Sequence, residues 1–226
     1  MALVCGVNCS TLDRPNWVAW LDEDQFMLDS YLPSSHAPLP ALVVKPGPVR
    51  CMAFDAPQGL PRPGERIRAA DKDAGTPTQS LPGDRAALEN WRARRGLIQV
   101  GISVFWWTYE KKLAAVAGMA GDTHDLILAE SYPGYVIRRL WPSMTIPSKR
   151  RVPIEYVDTV YAGIQKRGYV CRSVIRPTVQ QVDAMLCALA AGAFVEAGGL
   201  PAGTVGAPPV ADEKDSVLRD GYIISG

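Results

Sequence analysis

The first third of the chain alternates short apolar runs with polar breaks, which is the pattern of an antiparallel sheet. The apolar runs are ALVCGVN, NWVAWLD and FMLDSYL, and the breaks between them are Asp13-Arg14-Pro15 and Asp22-Glu23-Asp24. Runs of this length separated by turn residues predict a three-stranded meander. A proline-rich bridge leads to a fourth apolar run, VRCMAFD, which predicts a buried strand that ends on Asp55.

After Pro61 the pattern becomes helical. A short charged helix is predicted to end at Gly75, and a second is predicted to begin near Asp84 and to end at Gly96. The run FWWTYE that follows carries aromatic rings, which either belong to the core or serve as stacking platforms for bases.

The second half of the chain combines one strand with three helices. The strand DLILAE again ends on a carboxylate, Glu130, and Tyr132-Pro133-Gly134 opens the first helix. EYVDTVYAGIQKRG predicts the second helix, and the third and longest begins after Thr178, a natural N-cap.

The order of these elements predicts an α/β or α+β layout, with a mixed sheet flanked by helices. The length of 226 residues predicts a single domain over 1–226, with a helical insertion at about 62–122. The run DGYIISG predicts a C-terminal edge strand at about 220–226, and the preceding segment 201–215 is predicted as a loop.

Composition narrows the classes of function. The apolar runs are shorter than the roughly 20 residues that cross a bilayer, and the N-terminus lacks the basic start of a signal peptide, so we expect a cytoplasmic protein without a membrane partner. Five cysteines without a C-x-x-C pair argue against a disulfide framework and a zinc site, and two histidines leave few bases for a serine triad. Any catalysis is therefore expected to depend on carboxylates.

Three carboxylates stand in apolar surroundings. Asp55 and Glu130 end predicted strands, and Asp183 lies too deep in the longest helix to be its cap. Side chains at the carboxyl ends of adjacent parallel strands converge, and clustered carboxylates suit Mg²⁺ or Mn²⁺. The alternative is that each carboxylate forms a core ion pair, with Arg66 or Arg68 as the partner.

The net charge of +1 conceals an uneven distribution. The segment 131–176 has nine Lys or Arg against two acidic residues, a local charge of +7 that leaves −6 for the remainder. This is either a solvated basic face or a surface that faces phosphate groups beside an acidic site.

Several motifs, in order along nearly the whole chain, resemble the domain-of-unknown-function family 429, predicted nucleases with an RNase H-like fold. They are CGVN, NWVAWL, AFDAPQGLP followed by RIRAAD, AESYPGYV, VDAMLCALAA and DGYIIS. The resemblance implies a mixed five-stranded sheet flanked by helices, with a metal site at its centre. It matches Asp55, Glu130 and Asp183 to the acidic positions of the family, where they would be catalytic residues and ligands for Mg or Mn.

One position departs from the family pattern. The resemblance implies an aspartate at the end of the first strand, where this chain has Asn8. An amide offers one neutral oxygen, so Asn8 as a metal ligand predicts one ion, or a weakly bound second ion, instead of two. Asp13 in the following turn is a poorly placed substitute. The chain is thus predicted to be a slow nuclease or to have lost catalysis.

The remaining predictions concern residues around the carboxylates. Arg68 is predicted to contact phosphate and Asp71 to support the metal ligands, although an i,i+3 helix pair between them is the alternative. Tyr132 is a further supporting residue. The run PSKRR supplies Lys149, Arg150 and Arg151 as candidate nucleic-acid contacts, or else forms a solvated loop.

Three functions follow from these predictions. The first is metal-dependent hydrolysis of phosphodiester bonds in nucleic acid. The second is an inactive RNase H-like module that binds nucleic acid or protein. The third is an enzyme that binds Mg-nucleotide phosphates, which the absence of a Walker motif and of glycine-rich phosphate hairpins disfavours.

Overall fold

The structure, a computed structural model, describes residues 3–11, 13–43, 47–77, 80–90, 95–121 and 124–226. A mixed sheet of nine strands forms the centre of this part of the chain. The strands are β1 (Leu3–Asn8), β2 (Asn16–Asp22), β3 (Gln25–Tyr31), β4 (Val49–Asp55), β5 (Ala115–Val116), β6 (Ile127–Ser131), β7 (Val170–Cys171), β8 (Val205–Asp212) and β9 (Val217–Ile224).

The strand order is β7-β3-β2-β1-β4-β6-β9-β8, and the short β5 pairs with β6. β1, β2 and β3 form the predicted antiparallel meander, and β4, β6 and β9 continue the sheet parallel to β1. The predicted class, a mixed sheet with a meander and parallel strands flanked by helices, is therefore confirmed. The sheet is wider than the five strands that the resemblance implies.

The helices that the structure describes are α1 (Pro40–Val43), α2 (Ala69–Ala74), α3 (Arg85–Asn90), α4 (Arg95–Glu110), α5 (Pro133–Leu140), α6 (Pro153–Lys166) and α7 (Val179–Glu196). The region predicted as a helical insertion thus holds α2, α3 and α4 together with β5. Gly75 ends α2 as predicted, with φ of 59° in the left-handed region that favours glycine.

The prediction that a helix ends at Gly96 was wrong. Gly96 lies in the first turn of α4, and residues 91–94 lie outside the described part of the chain. A Cβ at this position would lie 2.2 Å from the Cγ2 atom of Thr11, so the glycine permits close packing instead of a helix end. Phe105 and Trp106 of the FWWTYE run are buried in α4, which supports the core interpretation of these rings.

The prediction of a C-terminal edge strand was also wrong. β9 lies inside the sheet between β6 and β8, and the segment predicted as a loop forms β8. Pro208 and Pro209 suggested a loop, but a strand at a sheet edge tolerates proline because one of its sides makes no ladder hydrogen bonds. The register of β8 shifts between Ala207 and Val210, where the two prolines lie.

Helix α7 packs on the central strands and positions Asp183. Thr178 caps it through a capping box with Gln181, as its sequence predicts for an N-cap. An added Cβ on Gly6 of β1 would lie 2.0 Å from the carbonyl oxygen of Ala184, so glycine allows helix and strand to approach closely. By length and composition α7 also suffices to cross a membrane, but 72% of it is buried in the protein.

Candidate functional site

Two adjacent strand ends bring Asn8 and Asp55 together. The two residues are register partners at the ends of the parallel strands β1 and β4. The Nδ2 atom of Asn8 donates a hydrogen bond to the Oδ2 atom of Asp55 at 3.0 Å. Asn8 is buried, whereas Asp55 is partly exposed. The position at which the resemblance implies an aspartate therefore holds a neutral amide that donates to Asp55.

Glu130 lies on the next strand and belongs to a separate cluster, which we call the Arg68 cluster (Arg68, Asp71 and Glu130). Nη1 and Nη2 of Arg68 each donate to one carboxylate oxygen of Glu130 at 2.6 Å. Nε and Nη2 of the same guanidinium donate to Asp71 at 2.7 and 3.0 Å. The backbone N–H of Gln58 adds a hydrogen bond to Glu130 at 2.9 Å. Both carboxylate oxygens of Glu130 are thus in use.

This geometry corrects the prediction that Arg68 contacts phosphate. The Arg68 side chain is fully buried, and it bridges two carboxylates of the same chain. Burial lowers the pKa of the guanidinium, but the attraction of Glu130 and Asp71 outweighs that effect and raises it overall, so Arg68 stays charged. The structure instead matches the two alternatives given for these residues: Glu130 forms a core ion pair with Arg68, and Arg68 forms an i,i+3 pair with Asp71.

Asp183 is the buried member of a more open cluster. Its Oδ2 atom accepts from the Nζ atom of Lys149 at 2.8 Å, and its Oδ1 atom accepts from the hydroxyl of Tyr156 at 2.7 Å. The Asp183 side chain is 4% exposed, whereas that of Lys149 is 46% exposed. Lys149 belongs to the loop between α5 and α6, so its ammonium group reaches the site from the surface.

We call Asn8, Asp55, Lys149 and Asp183 the Asp55 cluster because Asp55 is its least compensated charge. Burial raises the pKa of Asp55 to about 7, and repulsion from Asp183 adds to this effect. Lys149 and the hydrogen bond from Asn8 oppose the rise but do not cancel it. Two carboxylates therefore share one lysine, and a proton or another cation is favoured at Asp55.

A small cavity of about 60 Å³ adjoins Asp55. The turn after β4 contributes Ala56 and Pro57 to its lining, Tyr132 lines it from the start of α5, and both carboxylates of the Arg68 cluster line it as well. Burial raises the pKa of the Tyr132 hydroxyl, and Lys149 opposes this rise. The break that follows β4 thus leaves space beside the carboxylate, and Tyr132 remains a candidate supporting residue.

The arrangement fits one hard divalent cation better than two. The described residues contain no group of three His, Cys, Asp or Glu side chains placed to hold a metal ion. Glu130 is committed to Arg68, so it is not available to a second ion. Asp55 remains, and Asp183 can join it once the partly exposed Lys149 leaves its Oδ2 atom. Mg²⁺ is commonly held through one or two carboxylates, several waters and substrate phosphates. Asp13, the proposed substitute for the missing carboxylate, is exposed.

The predicted nucleic-acid contacts fall into two groups. Arg150 and Arg151 are exposed on the loop before α6, where they can meet a ligand, whereas Lys149 is engaged with Asp183. Sequence reasoning missed Tyr156 as the second partner of Asp183. The available signal was a tyrosine on the same face of a helix as Val160, because a buried phenol requires a hydrogen-bond partner.

Comparisons with known proteins give no relative of this chain. No family model, no curated protein and no solved structure matches it. The resemblance to the domain-of-unknown-function family 429 therefore stays a prediction from motifs, and the functional argument depends on the Asp55 cluster.

Proposed function

We propose that the protein is a metal-dependent phosphodiesterase acting on nucleic acid, and that it binds one Mg²⁺ or Mn²⁺ ion at Asp55 and Asp183. The observation that carries this proposal is the charge deficit at Asp55. Its carboxylate is partly buried next to Asp183, receives a hydrogen bond from the neutral Asn8, and has a pKa raised to about 7. A divalent cation would neutralise the charge of both carboxylates, whereas the single charge of Lys149 neutralises it only in part.

The residues of the chain have distinct roles in this proposal. Asp55 and Asp183 would hold the ion, while Asn8 orients Asp55 and Tyr156 orients Asp183. When bound, the ion supplies Lewis acidity to a phosphate oxygen and lowers the pKa of a coordinated water. Arg150 attracts the phosphate backbone from the exposed loop.

The Arg68 cluster supports the site without taking part in the chemistry. It fixes Glu130 on β6, whose register partner on β4 is Phe54, the residue before Asp55. The ion pairs of the buried guanidinium hold the carboxyl ends of these central strands in place. Rigid support is what a catalytic carboxylate needs to keep its geometry.

A non-catalytic nucleic-acid-binding module is the second candidate. Two observations favour it: Asn8 stands where the resemblance implies a carboxylate, and Lys149 already neutralises Asp183. Under this candidate the basic loop still binds phosphates, but no ion is held tightly enough for hydrolysis. The Mg-nucleotide hypothesis has no observation in its favour and stays a prediction from the sequence.

The two candidates are separated by cleavage of end-labelled single- and double-stranded DNA and RNA with Mg²⁺ or Mn²⁺. The proposal predicts cleavage by the wild type, its loss in Asp55→Asn and Asp183→Asn, and normal cleavage in Asp22→Asn, an exposed strand-end control. Unchanged cleavage in Asp55→Asn would overturn it. Binding without cleavage in the wild type, together with cleavage in Asn8→Asp, would favour the second candidate.

A further inference from the structure

Lys149 is the cationic partner of Asp183, one of the two proposed metal ligands. Its Nζ atom lies 2.8 Å from the Oδ2 atom of Asp183, in hydrogen-bond contact. The charge of Lys149 also acts on Asp55, the second proposed ligand. One ammonium group therefore interacts with both of the carboxylates that the proposed ion needs.

The exposure of Lys149 allows its ammonium group to move away from Asp183. The side chain is 46% exposed and ends in a compact charge on a flexible four-carbon stem. Exposed Arg150 and Arg151 follow it directly, so a phosphate backbone that reaches this loop also reaches Lys149. The fully buried Arg68 has no such freedom, since its guanidinium is held by Glu130 and Asp71.

We propose that Lys149 is a built-in counter-cation that competes with the metal ion for Asp183 until the phosphate groups of a nucleic acid draw it away. This inference rests on the proposed function, because it assumes that Asp55 and Asp183 are the metal ligands. Because an ammonium group and a metal ion repel each other and use the same oxygen, removing the lysine strengthens metal binding. Nucleic acid and metal ion then bind cooperatively, and each raises the affinity for the other by the same factor.

The test measures Mn²⁺ affinity by calorimetry in the wild type, Lys149→Met and Lys149→Arg. Methionine keeps the length of the side chain without its charge, and arginine keeps the charge. Lys149→Met should bind Mn²⁺ on the order of tenfold more tightly than the wild type, a typical size for coupling between sites. Lys149→Arg should stay close to the wild type. Asp22→Asn, at the exposed end of β2, should also leave Mn²⁺ affinity unchanged.

A second arm repeats the titration with a short oligonucleotide, with its uncharged methylphosphonate analogue and with inorganic phosphate. The oligonucleotide should raise Mn²⁺ affinity in the wild type on the order of tenfold and have little effect in Lys149→Met. The methylphosphonate analogue should have no effect, because it has no charge to attract the lysine. Equal enhancement by inorganic phosphate would overturn the assignment to nucleic acid.

The outcomes distinguish this inference from the proposed function. Equal Mn²⁺ affinity in the wild type and a folded Lys149→Met variant would overturn the inference, while binding that is lost in Asp55→Asn would still support the proposed site. If none of these proteins binds Mn²⁺, with or without oligonucleotide, both the site and the role of Lys149 are contradicted.

Discussion

The Arg68 cluster and the Asp55 cluster each place two carboxylates beside one basic side chain, and their strand-end carboxylates lie on the adjacent strands β6 and β4, but they differ in how the charges are compensated. In the first, a fully buried guanidinium makes four hydrogen bonds to two carboxylates. In the second, two carboxylates share one lysine that is 46% exposed. A strand-end carboxylate therefore indicates a binding site only when a buried cation does not already engage both of its oxygens, as Arg68 does for Glu130.

The largest expected effect is the loss of stability on breaking the Arg68 cluster. Arg68→Met should lower the free energy of unfolding by about 3 to 5 kcal/mol, because it leaves two buried carboxylates without a counter-charge. Denaturant unfolding measures this effect. Lys149→Met is the matched control, and its loss should be about 1 kcal/mol since that ion pair is partly exposed. Equal losses in the two variants would remove the contrast between the clusters.

A smaller effect of opposite sign is expected for Asp55→Asn. The folded pKa of Asp55, about 7, lies above its ordinary value of 3.8, so the folded state binds more protons between these values. The stability contributed by this group is therefore lost as pH rises from about 4 to about 7. At pH 8 Asp55→Asn should be about 2 kcal/mol more stable than the wild type in the absence of metal, roughly half of what the full pKa difference corresponds to, because the side chain is partly exposed.

The measurement for this prediction is the difference in unfolding free energy between the two proteins across that pH window. The difference should be near zero at pH 4 and should grow in favour of the variant up to about pH 7. Asp22→Asn, at the exposed end of β2, should show no such growth. A variant that is less stable than the wild type at pH 8 would mean that Asp55 is a structural carboxylate like Glu130.

Asn8→Asp is expected to sharpen the contrast by making the Asp55 cluster still more acidic. The new carboxylate would face Asp55 where an amide now donates at 3.0 Å, so the metal-free protein should lose about 1 kcal/mol at pH 8. Mn²⁺ should recover this loss, because the ion compensates the added charge. Thermal unfolding with and without Mn²⁺ tests the prediction, and a loss that Mn²⁺ does not reverse counts against a metal site here.

The smallest expected effect concerns the exposed loop. Arg150→Ala should leave stability unchanged and weaken oligonucleotide binding a few-fold at low salt. The slope of log affinity against log salt concentration should fall by about 1, since one phosphate contact is lost. Fluorescence anisotropy over a range of salt concentrations measures both quantities. An unchanged slope would show that this loop does not contact phosphates.

Local sequence patterns were sufficient to predict much of the fold. The meander follows from apolar runs between turn residues, and the start of α7 follows from the Thr178 cap. The end of β4 at Asp55 was also predicted, since Ala56-Pro57 follows it, whereas β6 ends at Ser131, one residue after the predicted end at Glu130. The predictions failed where tertiary packing determines the structure. Gly96 lies inside α4, where it packs against Thr11, and β8 forms a strand because its prolines are tolerated at the sheet edge.

The partners of the acidic residues could not be predicted in the same way. Arg68 meets Glu130 across 62 positions, and Lys149 meets Asp183 across 34. Nothing in the local pattern separates an arginine that binds phosphate from one that is buried in an ion pair. The choice depends on which carboxylate lies within reach once the sheet has formed, and this is a property of the folded chain.

The most direct test of the account is a calorimetric titration of Mn²⁺ into metal-free wild type, Asp55→Asn and Lys149→Met. The account predicts one ion per chain in the wild type, tighter binding in Lys149→Met and no binding in Asp55→Asn. Two ions per chain in the wild type, or binding that persists in Asp55→Asn, would contradict the claim that the Asp55 cluster is a site for a single cation.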